Sequence, residues 1–370
     1  MNSSTSVYLD LVRFCAAFLV FIVHANYERF TGGLPFLWRF SDLGNDAVMV
    51  FFVLSGFVIS YVANGKEDSI DKYFVSRFAR LYSVVVPALI LTAALDLVGS
   101  RITYELYDGW WFETSYPFGR FLANLLFVNE IWFSSIRPFS NGPFWSIGYE
   151  FWYYVLFAFS FYLKGRTKYL IIISICLLVG PKILILLPVW MLGVLVYRVN
   201  SSDLIGHRIG WILFVASIGL YVMYVSYDGQ AYLLRITENT LGNDLYEKLM
   251  WSKYFLSSYI VGLLVAANFI GFKSISTSFS PIMNFISKPI RYLASYTFVL
   301  YLLHYPLLQF FSALTFDAST GRTQPFIVVT GTLFTVWLLG GITEGQKGRY
   351  KKSISMLWSF LSERRVKSTG

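Results

Sequence analysis

Apolar residues in this chain fall in blocks of about twenty separated by short charged clusters, and ten blocks read as membrane helices: about 7–27, 46–63, 81–99, 145–163, 168–181, 183–199, 209–227, 251–271, 292–314 and 325–342. Gly180-Pro181 makes a tight joint between the fifth and sixth, and the shorter apolar piece at 120–133 reads as a re-entrant or interfacial helix. Met1–Ser6 carries no basic residue and no small-residue cleavage site follows the first block, which is therefore read as a retained helix. The pattern predicts an all-α integral membrane protein with about ten transmembrane helices, embedded over residues 1–345 and ending in a basic tail, 346–370.

Composition agrees. Of 370 residues, 56% are apolar, 19% aromatic and only 14% charged, where a soluble protein carries about 25% charged residues, so an ordinary soluble enzyme is excluded. The net charge of +9 is unevenly placed. An even span count puts both termini on one side, and loops on that side hold 19 of the 30 basic residues; 10 lie opposite, and Arg13 alone falls within a span. That asymmetry predicts cytoplasmic termini and is no argument for nucleic acid. The long segments expected on the other face, about 100–144 and 228–250, are rich in Trp, Tyr and acids, which suits a surface for sugars or headgroups and suits interfacial anchoring equally. Cys15 and Cys176 lie in apolar stretches and offer neither a disulfide framework nor a metal cluster.

Charges placed where lipid should be are the candidate chemistry. Arg13 and His24 are eleven residues apart in the first block, three helical turns plus roughly 20°, so they share a face about 16 Å apart along the axis. An unpaired Arg near the bilayer centre costs on the order of 3 kcal/mol, so this face must look into protein or water; the competing reading is snorkelling or a pair with Asp10. Glu150 opens the fourth span on the half of the bilayer that holds His24, and a carboxylate beside that imidazole would make it a better general base. Against this stands a Glu held by Trp or Tyr near the interface, and Glu28 and Asp46 are rival orienting acids. Arg77 and Arg80, three apart before the third span, form a pair of guanidinium forks suited to phosphate, with lipid headgroups as the plainer partner.

Taken in order, these stretches resemble acyltransferase family 3, integral membrane proteins that move acyl groups, usually acetyl, onto extracytoplasmic glycans. The resemblance lies in the spacing of Arg13 and His24, in GNDAVMVFFVLSGFVIS (Gly44 to Ser60), in Arg-x-x-Arg at Arg77 and Arg80, in FWSIGYE (Phe144 to Glu150), and in SYTFVLYLLHYPLL (Ser295 to Leu308). It is looser at the end, where Gly345 follows Glu344 in place of a nearby proline. It implies a multi-pass protein of the inner (plasma) membrane, among membrane lipids, taking acetyl-CoA or another acyl-CoA as donor and needing no metal. Arg77 and Arg80 would contact the donor's phosphates, and Arg13 would stand beside its pantetheine arm. His24, with Glu150 and Arg13, would carry the catalysis, either as base or as an acyl-imidazole. Asp46, Trp145 and His304 would contact the acceptor, a polysaccharide or lipid-linked saccharide such as lipopolysaccharide of the cell envelope. His207, in a loop on the side of the termini, is expected to be inert. The alternatives are acylation of a small molecule or lipid, and transport of an acyl-glycan without catalysis.

Overall fold

The computed structural model describes residues 2–34, 43–202, 204–316 and 323–343, together with 352, 353 and 356. Glu344 and all of the expected tail except those last three positions lie outside the described residues. The long helices are α1 (Ser3–Ala25), α3 (Gly44–Gly65), α4 (Ile70–Ile102), α6 (Trp145–Tyr162), α7 (Gly165–Val179), α8 (Pro181–Ser201), α9 (His207–Ser226), α12 (Phe255–Ile275), α14 (Thr297–Thr315) and α15 (Thr323–Thr343). The remaining helices connect them: α2 (Glu28–Thr31), α5 (Pro117–Leu125), α10 (Gly229–Leu241), α11 (Asn243–Lys248) and α13 (Ser280–Ser295).

The ten long helices coincide with the ten apolar blocks. Among the described residues eight of them are long and apolar enough to cross a bilayer; α6 and α7 stand outside that set. With 15 residues, α7 rises about 22 Å, short of the roughly 30 Å hydrocarbon thickness. Two boundaries moved. The third block extends backwards into a 33-residue helix that carries Arg77 and Arg80 on its first turns, because no proline or glycine interrupts the polar run before it. The expected ninth span, 292–314, divides at Tyr296, leaving α13 as a separate helix with Phe285 88% exposed. The piece at 120–133 is helical only as far as Leu125.

Two packing facts position the site. First, α3 and α8 touch backbone to backbone: a Cβ on Gly193 would lie 1.9 Å from the Val53 carbonyl oxygen, and one on Gly56 2.1 Å from that of Trp190. Only glycine permits this approach. It holds α3 deep in the bundle, with Ser55 accepting a hydrogen bond from the Trp190 indole at 3.2 Å. Second, α14 is the most enclosed helix, packed against α1, α4 and α15, so its Tyr301, His304 and Tyr305 are all buried.

The segment between α5 and α6 is fastened from below. Ser140 donates through its amide and hydroxyl to Asp96 at 2.9 and 2.8 Å, and Asn141 donates to the Leu302 carbonyl at 2.8 Å. Lys182, fully buried, bonds Glu130 at 2.6 Å and the Ser134 carbonyl at 2.5 Å. Burial alone holds the Glu130 carboxyl above its usual range, and Lys182 pulls it back down.

Candidate active site

Three cavities lie in succession along α1, from its first turns to its end. A mouth of about 240 Å³ is bordered by Asp10, Arg13, Arg80 and Arg291. It shares Arg13, Arg80, Thr297 and Phe298 with a neck of about 60 Å³, which also holds Ser55 and Glu150. The neck in turn shares Val48 and Tyr301 with a chamber of about 830 Å³ that contains His24. Arg13 and His24 thus serve successive compartments of one path, as two residues on one helical face should.

At the chamber, His24 Nδ1 stands 2.9 Å from Nε2 of His304, and Nδ1 of His304 stands 2.8 Å from the Leu300 carbonyl oxygen. A carbonyl can only accept, so His304 carries its proton on Nδ1. As a neutral ring its Nε2 is then an acceptor, which places the His24 proton on Nδ1 and leaves His24 Nε2 as a bare lone pair. The rings are 5.0 Å apart. Tyr305 stands edge-on to His24 with ring centroids 5.1 Å apart and restrains its tilt. A turn of α14 therefore sets the tautomer of a side chain on α1, the role a carboxylate often plays beside an imidazole.

The anticipated meeting of His24 with Glu150 does not occur. Trp145, the first residue of α6, lines the chamber; Glu150 is five residues further in, about 7.5 Å lower. There it accepts hydrogen bonds from Ser55 (2.6 Å) and Tyr154 (2.5 Å) and shares the neck with Arg13 and Arg80. The carboxylate and Arg13 occupy one level of the path and His24 another. Arg13 also lies 3.3 Å from Asp10, the local pair anticipated as an alternative.

The two arginines of α4 part company. Arg80 borders the mouth and the neck, whereas Arg77 is buried, bonded to Glu67 at 2.7 Å, and lines none of the cavities described. Three residues turn a helix by about 300°, so neighbours on one broad face still point into different surroundings. Asp46 faces away from the chamber, accepts a hydrogen bond from Tyr221 at 3.1 Å and borders a separate, mostly apolar cavity with Cys15. Trp145 stacks on Trp251 at 5.7 Å in the chamber wall. Glu28 lies on the rim. Exposed His207 meets the Ser274 carbonyl and the Trp211 indole at its own end of the bundle and lines none of the cavities described.

Four chamber residues escaped sequence reasoning: Arg29, Arg137, Trp111 and Tyr305. Arg29 and Arg137 entered only as charges on one face, and nothing in their spacing shows that the folded loops carry both to His24. Trp111 and its neighbours were visible as aromatic density, which interfacial anchoring explained as well.

The acyltransferase domain family matches residues 6–341. Among individual proteins, the chain is 31% identical over 154 residues to acyltransferase MdmB of Streptomyces mycarofaciens, covering 40% of this chain and 36% of that protein. It is 26% identical over 173 residues to an O-acetyl transferase of Shigella phage Sf6, covering 45% and 49% respectively. A stretch of 92 residues, 24% of the chain, is 44% identical to protein 2 in the picA locus of Rhizobium radiobacter, 44% of whose length it covers. The chain thus spans between about a third and a half of the length of these relatives. No solved structure matches it.

Proposed function

The chain belongs to the acyltransferase family whose domain spans it, and from that premise we propose that it is a membrane O-acyltransferase, moving an acyl group from acyl-coenzyme A to the hydroxyl of a saccharide. What supports the reading is a succession of three cavities with shared lining residues, the last holding His24, whose Nδ1 meets His304 and whose Nε2 is thereby left to accept a proton. The donor enters from the side of the termini, the cytoplasm. Its phosphates meet Arg80, Arg291 and Arg13, where three guanidinium groups face the single carboxylate of Asp10. The pantetheine arm threads the neck, the narrowest of the three cavities. The thioester then lies beside His24, about 16 Å along α1 from Arg13.

In the chamber His24 Nε2 takes the proton of the acceptor hydroxyl as its oxygen attacks the thioester carbonyl. The carbon–sulfur bond breaks, and the thiolate of coenzyme A receives that proton back from His24, so charge and atoms balance. His304 keeps Nδ1 engaged throughout and shares the transient positive charge. The acceptor is a sugar hydroxyl because the walls are Trp110, Trp111, Trp145 and Trp251, flat faces against which sugar rings lie, with polar edges between them. An extracytoplasmic or lipid-linked glycan reaches such a chamber from the face opposite the termini.

The test is transfer of labelled acetyl from acetyl-coenzyme A by the purified protein in liposomes to glycans extracted from its host membrane. Labelled glycan is expected with the wild type and is absent with His24→Ala. Folded wild-type protein that neither binds nor consumes acetyl-coenzyme A overturns the reading.

A further inference from the structure

Among the described residues, the chamber is lined by two arginines and a single acid. Arg29 comes from α2 and Arg137 from the segment before α6, and both border the space that His24 faces. The acid that lines it is Glu28, exposed on the rim. Among the described residues neither arginine is within ion-pair distance of a carboxylate, although Arg13, Arg77 and Arg120 each have one.

Aromatic rings take the place of counter-ions. The Arg29 guanidinium carbon lies 4.6 Å from the centroids of both Phe30 and Trp111 and 5.3 Å from that of Tyr305, whose hydroxyl it bonds through Nη2. Its Nε and Nη1 are buried with no hydrogen-bond partner among the described residues. Arg137 donates to the Trp111 carbonyl at 2.7 Å and lies 5.1 Å from the Trp110 ring. A Cβ on Gly142 would stand 3.8 Å from the Arg137 guanidinium carbon and 3.9 Å from Tyr305 Cζ, so the two arginines converge on one phenol. Burial draws the Arg137 pKa down and the charge of Arg29 adds to it, while Tyr305 and, less strongly, the more distant Glu130 oppose them. Tyr305 is also the ring that meets His24 edge-on; a group bound by the arginines is one ring away from the imidazole.

Rings soften the desolvation of a cation but do not neutralise it, and buried guanidinium donors without acceptors are costly unless something supplies them. We propose that Arg29 and Arg137 form an anion subsite, and that the acceptor is an acidic saccharide whose carboxylate or phosphate docks there while a hydroxyl on the same or the next sugar ring reaches His24. The chemistry shared by the two sources is a planar or tetrahedral oxyanion accepting several guanidinium N–H bonds. The proposal rests on the chamber's being the acceptor site and names the class of acceptor.

Binding tests it without turnover, because Trp110, Trp111, Trp145 and Trp251 report from the chamber. Full-length protein in detergent is titrated with methyl glucuronide, glucose 1-phosphate and methyl glucoside, following tryptophan fluorescence. At least one anion is expected to bind about 10- to 100-fold more tightly than the neutral glucoside, the usual effect of charge-assisted hydrogen bonds, and added salt should weaken the preference. A better glucuronide points to uronic or related acid sugars; a better phosphate points to phosphorylated or lipid-linked ones. Arg29→Gln and Arg137→Gln should each erase the preference, and Arg29→Lys should keep part of it. If the Gln variants do not fold, the wild-type comparison still decides. Equal affinity for all three sugars, or no binding of either anion, overturns the subsite.

The two readings fail separately. Anion preference in protein that transfers no acetyl leaves the subsite standing and sinks the transferase. Acetyl transfer to neutral and acidic glycans alike, without preference in binding, does the reverse.

Discussion

The neck and the chamber are adjoining parts of one path built with opposite logic. At about 60 Å³ the neck is the narrowest of the three cavities, and carboxylates stand near its guanidinium groups: Arg13 lies 3.3 Å from Asp10, and Glu150 lines the neck together with Arg13 and Arg80. At about 830 Å³ the chamber admits whole rings, and among the described residues no carboxylate is within ion-pair distance of Arg29 or Arg137. Balanced charge in a tight passage lets an extended chain slide without being trapped. Unbalanced charge in a wide space holds one kind of ligand in place.

The largest effect is expected at His24, the base in the proposed mechanism. His24→Ala should lower acyl transfer by about 10²- to 10⁴-fold while donor binding, proposed to lie at the mouth and neck, stays near wild type. Rates and donor affinities measured on one preparation decide it, and a well-folded variant with near-normal transfer would mean that the chemistry is elsewhere.

His304 sharpens the point. His304→Leu removes the side-chain acceptor that meets His24 Nδ1 and should cost about 10- to 100-fold, as losing a group that orients a reacting one commonly does. His304→Gln, whose amide oxygen can accept, should recover part of it. Equal losses in both variants would make His304 a packing residue.

On the donor side, Arg80→Ala should raise the acyl-coenzyme A KM about tenfold or more with a smaller change in rate at saturation. Arg77→Ala should behave differently. It strands Glu67 in a buried position, an effect worth about 3–5 kcal/mol of stability, so less folded protein is expected, with unchanged donor KM in what remains. Thermal unfolding beside a donor titration separates the two. A raised KM in a stable Arg77→Ala variant would return that residue to the phosphate site.

The smallest effect is expected at Asp46. Its carboxylate faces Tyr221 and a cavity off the path, so Asp46→Asn should keep transfer within about threefold of wild type, under roughly 0.7 kcal/mol in the barrier. A larger loss would extend the site beyond the path.

Local pattern made much of this molecule legible. The ten apolar blocks became helices because a segment of that length and composition satisfies its backbone hydrogen bonds internally wherever it lies in the bundle. The eleven-residue spacing of Arg13 and His24 likewise implied a shared face, since helical periodicity is a property of the segment alone.

Partnership was not legible in the same way. Glu150 looked like His24's neighbour because each stood near the same end of its span, but α6 begins inside the bundle, and a drop of a few residues moved the carboxylate to Arg13's level. His304, 280 positions from His24, became its partner only when α14 was enclosed between α1 and α4. Arg77 and Arg80 share a motif and not an environment. From its sequence the chain determined which helices form and which polar side chains they must shelter from lipid; the tertiary structure decided which of those groups meet, because depth and rotation in a bundle are set by contacts between segments far apart in the chain, such as the glycine-to-backbone approach of α3 and α8, and not by any one segment's own pattern.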